Sequence, residues 1–253
     1  KDTLSLHDAL PISLVMVLGG VVKGAVGFAL PMIAVSGIGS FLDAQTTIAI
    51  LIVPTFLTNL WQAIRQGPRA ALETGRRFWR LILVLAVLIG LVAQAVPHIP
   101  SQTLFLVLGG IVTVVAALQL AGWRPEAPRS PGARRALEIA TGVVAGVTGG
   151  LAGVWGPPVL FFLIALGVEK TALVRAQGLA YLTGSTVLVV AHLRSGLLDA
   201  ATLPVSALMI LPVMAGMALG LRLQDRLAPA PFRRWVLVVL CLAGLNLLRR
   251  GLA

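Results

Sequence analysis

The chain has 253 residues, 58% of them hydrophobic and only 11% charged, with a mean hydropathy of +0.96. A soluble domain carries about 25% charged residues, so a water-facing globule is excluded and the solvent for most of this surface is lipid. The formal charge of +11 does not mark a nucleic-acid surface, because the arginines stand in short runs between apolar segments, where they act as topology signals.

In chain order, residues 1–13 (KDTLSLHDALPIS) differ in composition from the rest of the chain and lack the basic n-region and cleavage site of a signal peptide. They are expected to be a non-native or disordered extension, and His7 and Asp8 carry no functional weight. About 20 apolar residues cross a bilayer as a helix. Spans of that kind are expected near 13–29, 45–64, 80–97, 102–122, 137–153, 172–193, 201–222 and 233–249, with shorter apolar pieces at 30–42 and 156–168. The polar stretch WRPEAPRSPGARR, from Trp123 to Arg135, is the one clear linker. The organisation expected is therefore a first membrane repeat over 14–122, a cytoplasmic linker over 123–136 and a second repeat over 137–253.

The repeat is visible in one pattern. Gly20 to Gly27 reads GVVKGAVG and Gly142 to Gly149 reads GVVAGVTG, which aligns Lys23 with Ala145. Each copy runs into proline, Pro31 or Pro157-Pro158, and then through a short apolar stretch to an acid, Asp43 or Glu169. A glycine-dense, proline-interrupted segment in matching places of two halves points to a transporter binding site. Loop 65–80 carries Arg65, Arg69, Arg76, Arg77 and Arg80, and both it and the linker are expected to be cytoplasmic. The loop PHIPSQ, from Pro97, has no Lys or Arg, whereas its counterpart 222–234 carries Arg222, Arg226, Arg233 and Arg234. Opposite charge in corresponding loops favours inverted repeats with five passes per half, which leaves Arg249 and Arg250 outside. The alternative is eight passes with parallel repeats, in which the short pieces dip in and return. The fold class expected is all-α, a polytopic integral membrane protein of two repeats, each of four long helices and one short broken one.

These segments resemble the sulfite exporter TauE/SafE family of membrane transporters. The second copy, GVTGGLAGVWGPPVLFFLIALGVEKTALVRAQ, is the closer match and the first, GAVGFALPMIAVSGIGSFLDAQ, a more diverged partner. Trp155-Gly156 before the prolines and Phe28 after Gly27 depart from a plain glycine run. The resemblance implies export of small sulfur-containing or carboxylate anions.

Among single residues Lys23 stands out, since a lysine inside a span costs about 2.5–3.5 kcal/mol to insert. It reads as an electrostatic anchor for an anion, against the alternative of a side chain that snorkels to the headgroups. Gly24, Gly27, Gly149, Gly150, Gly153 and Gly156 have two compatible readings. They let helices pack closely, or they expose N–H groups at a break, where an anion meets the positive end of a half-helix. Pro31 and Pro157, suited to a helix's first turn, favour the second. Phe28, Asn59, Gln177 and Trp155 complete the candidate substrate site, with Gln62, Thr183 and Ser185 in reserve. Gln94, Gln119 and His192 read as structural.

The remaining sites are absences. No acid lies deep in a long span, no His or Cys constellation suits a metal, and no nucleotide or hydrolase motif is present, so neither cofactor, metal nor catalytic residue is expected. The function expected is a permease exporting small anions by alternating access around a midplane site at the two breaks, in a bacterial inner membrane. A cation-coupled importer, a membrane-embedded enzyme and a non-transporting scaffold are the rivals. The partners expected are the anion and the bilayer, with a homodimer considered and nucleic acid excluded.

Overall fold

A computed structural model describes residues 6–64, 67–123, 126–224 and 229–252. Arg65, Arg124 and Arg226 of the orientation argument lie outside the described residues. In the first half, α1 (Leu6–Val26), the short α2 (Leu30–Ile38) and α3 (Ala44–Ile64) precede α4 (Pro68–Arg77), α5 (Trp79–Ala93) and α6 (Ser101–Leu120). In the second, α7 (Pro131–Ala152), the short α8 (Gly156–Ala165) and α9 (Lys170–Arg194) precede α10 (Thr202–Leu208), α11 (Ile210–Gln224) and α12 (Pro229–Leu252). Among the described residues five segments, 44–64, 79–98, 101–120, 172–194 and 202–222, are long and apolar enough to cross a membrane; the expected spans 13–29, 137–153 and 233–249 are not among them. The chain is a polytopic membrane protein. Its lipid-facing stripes are plain on α5, where Leu83, Val87 and Leu91 are exposed while Leu81, Leu85, Ile89 and Ala93 are buried, a helix apolar on every side.

Four details differ from expectation. α1 begins at Leu6, before the expected span start, with Ile12 buried. α7 starts at Pro131, inside the linker, because Ser130 caps it: its Oγ accepts from Ala133 N–H at 3.1 Å, with Pro131 in the first turn. The basic loop contains α4, an amphipathic helix begun by Pro68 and anchored by Thr74, whose Oγ1 accepts from Arg175 Nε at 2.9 Å. Span 201–222 is divided at Met209, where Pro212 has no N–H to offer the Leu208 carbonyl.

The chain divides into two compact units that interleave its halves, one comprising 1–54, 99–121 and 199–253 and the other 55–98 and 122–198. In the first unit α1 packs on α11. A Cβ on Gly20 would meet Val213, one on Gly24 the backbone of Met217 and Leu221, and one on Gly220 that of Val21 and Ala25. Pairings that advance together mean parallel helices, joined through Gly20/Gly24 and Gly216/Gly220, both with the G-x-x-x-G spacing that lets backbones touch in lipid. α6 and α12 run antiparallel, with Gly109 against Leu248 and Gly251 against Leu106. α2 folds back along α1, since Gly19 meets Leu30 and Ile33 while Gly37 meets Val15. Pro54 inside α3 frees the Ile50 carbonyl, and Ser206 Oγ donates to it at 3.0 Å while accepting from Val53 N–H at 3.2 Å. Arg250 Nη1 donates to the Leu42 carbonyl at 3.0 Å and lies 4.4 Å from the Phe105 ring centre, which gives a charge at the end of α12 protein partners.

The second unit repeats the first interface with other helices. Gly142, Gly146 and Gly150 of α7 pack on Val84, Leu88 and Val92 of α5, again in parallel. Gly184 of α9 meets Leu85 and Ile89, and Gln94 Nε2 donates to the Ala191 carbonyl at 3.1 Å, so α9 is parallel to α5 as well. The C-terminal part of α3 crosses α9 antiparallel, with Gly178 against Ala63 and Asn59 beside Tyr181.

Candidate functional site

Each unit contains one of the two glycine-proline breaks. In the first unit α1 ends at Val26, and Gly27 turns the chain with φ 86°, its N–H bonded to the Lys23 carbonyl at 2.7 Å. Ala29 follows with φ 82°, a left-handed conformation that costs a residue with a Cβ about 1–2 kcal/mol. α2 then begins, with Pro31 in its first turn. Lys23 lies in the last turn of α1 and is 3% exposed. At about 100° per residue, it falls between Gly19, which faces α2, and the Gly20/Gly24 pair, which faces α11, and away from exposed Leu14 and Leu18. Lys23 therefore lies on a protein-facing side of α1. Phe28 and Pro31 are buried beside the break. Gly24 has a packing role, because α11 backbone occupies the place of its missing Cβ.

The second break spans residues 153–155. Gly153 has φ 70° and its N–H bonds to the Gly149 carbonyl at 2.7 Å, while Val154 N–H reaches the Thr148 carbonyl at 3.3 Å; the left-handed glycine closing a 5→1 bond is the αL way of ending a helix. Thr148 Oγ1 donates to the Val154 carbonyl at 2.6 Å. Trp155 precedes α8, with Gly156 and Pro157 in that helix's first turn. It is 2% exposed, and its ring covers Gly149 and Gly184 and stands 6.4 Å from the Tyr181 ring. Tyr181 and Gly184 lie in the middle third of α9, so the break sits well inside the span. Gly150 packs on Val92 and Ile89 of α5.

Tyr181 organises the polar groups here. Its hydroxyl donates to the Gly156 carbonyl at 3.0 Å and accepts from Gln177 Nε2 at 3.0 Å, while its carbonyl accepts from Asn59 Nδ2 at 3.1 Å and Ser185 Oγ at 2.7 Å. The structure thus brings Asn59, Gln177, Trp155 and Gly156 together in one unit, while Lys23, Gly27, Phe28 and Pro31 belong to the other. On α3, Thr55, Thr58, Asn59 and Gln62 form a buried stripe at helical spacing, and both amide atoms of Gln62 lack a hydrogen-bond partner among the described residues. Tyr181 was missed by the sequence reading, although the only tyrosine of the chain, inside an apolar span, was a usable signal. Glu138 was missed as well. It is 3% exposed, pairs with Arg80 at 3.7 Å and accepts from Leu81 N–H at 3.3 Å, which satisfies an orphan donor at the start of α5.

Geometrically, then, one break combines a buried lysine with a strained backbone, and the other is filled by an indole and internally hydrogen-bonded. Among the described residues no group of His, Cys, Asp and Glu side chains could hold a metal. The family model described as Sulfite exporter TauE/SafE matches residues 12–247. No curated protein and no solved structure matches the chain.

Proposed function

Because the chain belongs to the sulfite exporter TauE/SafE family and is a multi-pass membrane transporter, we propose that it exports small organic or sulfur-containing anions of the sulfite, sulfonate or carboxylate type, with Lys23 as their anchor. The observation that carries this reading is the burial of Lys23 in the last turn of α1, four residues before the break at Gly27. An ionisable side chain buried in an apolar helix of a membrane protein is costly and reads as a functional site. Gly27, Phe28 and Pro31 shape its surroundings, and Ala29 adds backbone strain of the sort that gathers at functional sites.

The halves are read as inverted repeats of five passes each. In support, α6 and its counterpart α12 run antiparallel, as do α3 and its counterpart α9. Further support comes from α7 and α9, both parallel to α5, which requires the chain to return through α8 between them. Inverted repeats are the usual basis of alternating access, the transport cycle proposed here, in a bacterial inner membrane. With the cell interior negative, expelling a monovalent anion gains about 2.3 kcal/mol per 100 mV, so export runs downhill without a coupling ion. The test is efflux of sulfite, a sulfonate and a plain carboxylate from proteoliposomes at an imposed interior-negative potential, with no sodium or pH gradient. Efflux of at least one anion that rises with the potential is expected. Flux that requires a cation gradient, or no flux from folded and inserted protein, would overturn the reading.

A further inference from the structure

We propose that Trp155 closes the second helix break to anions and thereby confines anion binding to the first. The proposal rests on the reading of Lys23 as the anchor.

The two breaks align on their own geometry. Gly27 and Gly153 are the left-handed glycines that end α1 and α7, and Pro31 and Pro157 occupy the same place in α2 and α8. In that register Lys23 corresponds to Gly149, and Ala29 to Trp155. The repeated octapeptide suggests Ala145 instead, but α7 runs one turn further, through Gly149–Ala152, before it breaks. The two position pairs are then reversed in size. The first break has a long side chain at the helical position and a methyl at the break; the second has none at the helical position and an indole at the break. The reversal has a direct steric cause, since a Cβ on Gly149 would stand 2.7 Å from Trp155 Cε3. The indole therefore lies over the backbone position from which, in the first half, the lysine side chain springs.

Its surroundings offer an anion little. Trp155 is 2% exposed, so the ring is enclosed by protein. The Val154 N–H bonds to the Thr148 carbonyl, and the Thr148 and Tyr181 hydroxyl protons are committed to the Val154 and Gly156 carbonyls rather than available to an anion. Pro157 and Pro158 have no N–H, which strips donors from the first turn of α8. The backbone differs too: Trp155 is right-handed with φ −94°, whereas Ala29 is held left-handed at φ 82°. One break is relaxed and packed, the other strained and charged.

The test is equilibrium sulfite binding to the purified full-length protein. Wild type should bind a single sulfite per chain, and Lys23→Ala should weaken binding about tenfold or more, the scale of a lost charged hydrogen bond. Trp155→Ala, despite a lower Tm, and Trp155→Phe should retain the wild-type affinity within about threefold. Loss of binding in folded Trp155→Phe or Trp155→Ala comparable to that in Lys23→Ala would place the indole in the site and overturn the proposal. As a second arm, Gly149→Lys combined with Trp155→Ala should restore sulfite binding to the Lys23→Ala protein; a folded triple variant that still binds none would count against it. Unchanged binding in Lys23→Ala is a separate result, and it would overturn the anchor reading itself.

Discussion

Lys23 and Ala29 set the first break apart through two costs not repeated among the other described residues, a buried lysine and a left-handed residue bearing a Cβ. Replacing Ala29 by glycine removes the second cost, partly offset by the extra entropy glycine gives the unfolded chain. Ala29→Gly is therefore expected to raise stability by up to about 1 kcal/mol, read as a higher Tm in detergent. Tyr181→Phe should act the other way. It leaves the Gly156 carbonyl and the Gln177 amide without their partner, at a cost of about 1–3 kcal/mol; an unchanged Tm would show that both groups find substitutes. Lys23, Gly27 and Pro31 were legible in the sequence because a charge, a glycine or a proline in apolar surroundings is conspicuous without knowledge of its neighbours. The part played by Tyr181 was not, since its hydroxyl acts on a carbonyl 25 residues earlier and spacing carries no trace of that pairing. Glu138 stands at the border of its span, where an acid reads as interfacial until the orphan N–H it satisfies is seen.

Helix pairing in this chain depends on small residues, because lipid supplies no hydrophobic drive to bring apolar helices together. Gly24 and Gly220 lie where α1 and α11 backbones touch, whereas nothing stands within 4 Å of the place where Gly110 would carry a Cβ. Gly220→Val should therefore destabilise by about 1–3 kcal/mol or more, and Gly110→Ala should be neutral or slightly stabilising, since it adds a better helix former. Thermal unfolding of the two variants side by side checks this, and equal effects would contradict the interface. Ser206→Ala should cost about 1–3 kcal/mol, as the Ile50 carbonyl freed by Pro54 loses its donor. The five long apolar segments were readable to within a few residues from apolar length alone, whereas α1 and α7 begin well before the spans expected at 13–29 and 137–153. α4 was not readable, because its charged, amphipathic pattern between two spans looks like a basic loop. Nor could the octapeptide repeat show that α7 continues one turn past the point where α1 stops, since glycines four residues apart match equally well in either register.

At the scale of the whole chain, each sequence half places its glycine-bearing helix against a helix from the other half, α1 on α11 and α7 on α5. Neither half then contains the partner of its own broken helix. A chain cut within linker 123–136 should yield unstable fragments when either is produced alone, and a stable, co-purifying pair when both are produced together. Recovery of one half as a monodisperse folded protein would contradict that exchange. The matching glycine-proline pattern of the two halves was legible; the exchange was not, because helix partners leave no mark on the period of either sequence. The claim that matters most for function is that one buried cation carries the anion. It is tested most directly by comparing sulfite efflux from proteoliposomes containing wild type, Lys23→Arg and Lys23→Ala, at matched insertion and at one imposed potential. The expected result is loss of flux in Lys23→Ala of about tenfold or more, with partial retention in Lys23→Arg. Wild-type flux from Lys23→Ala would contradict it.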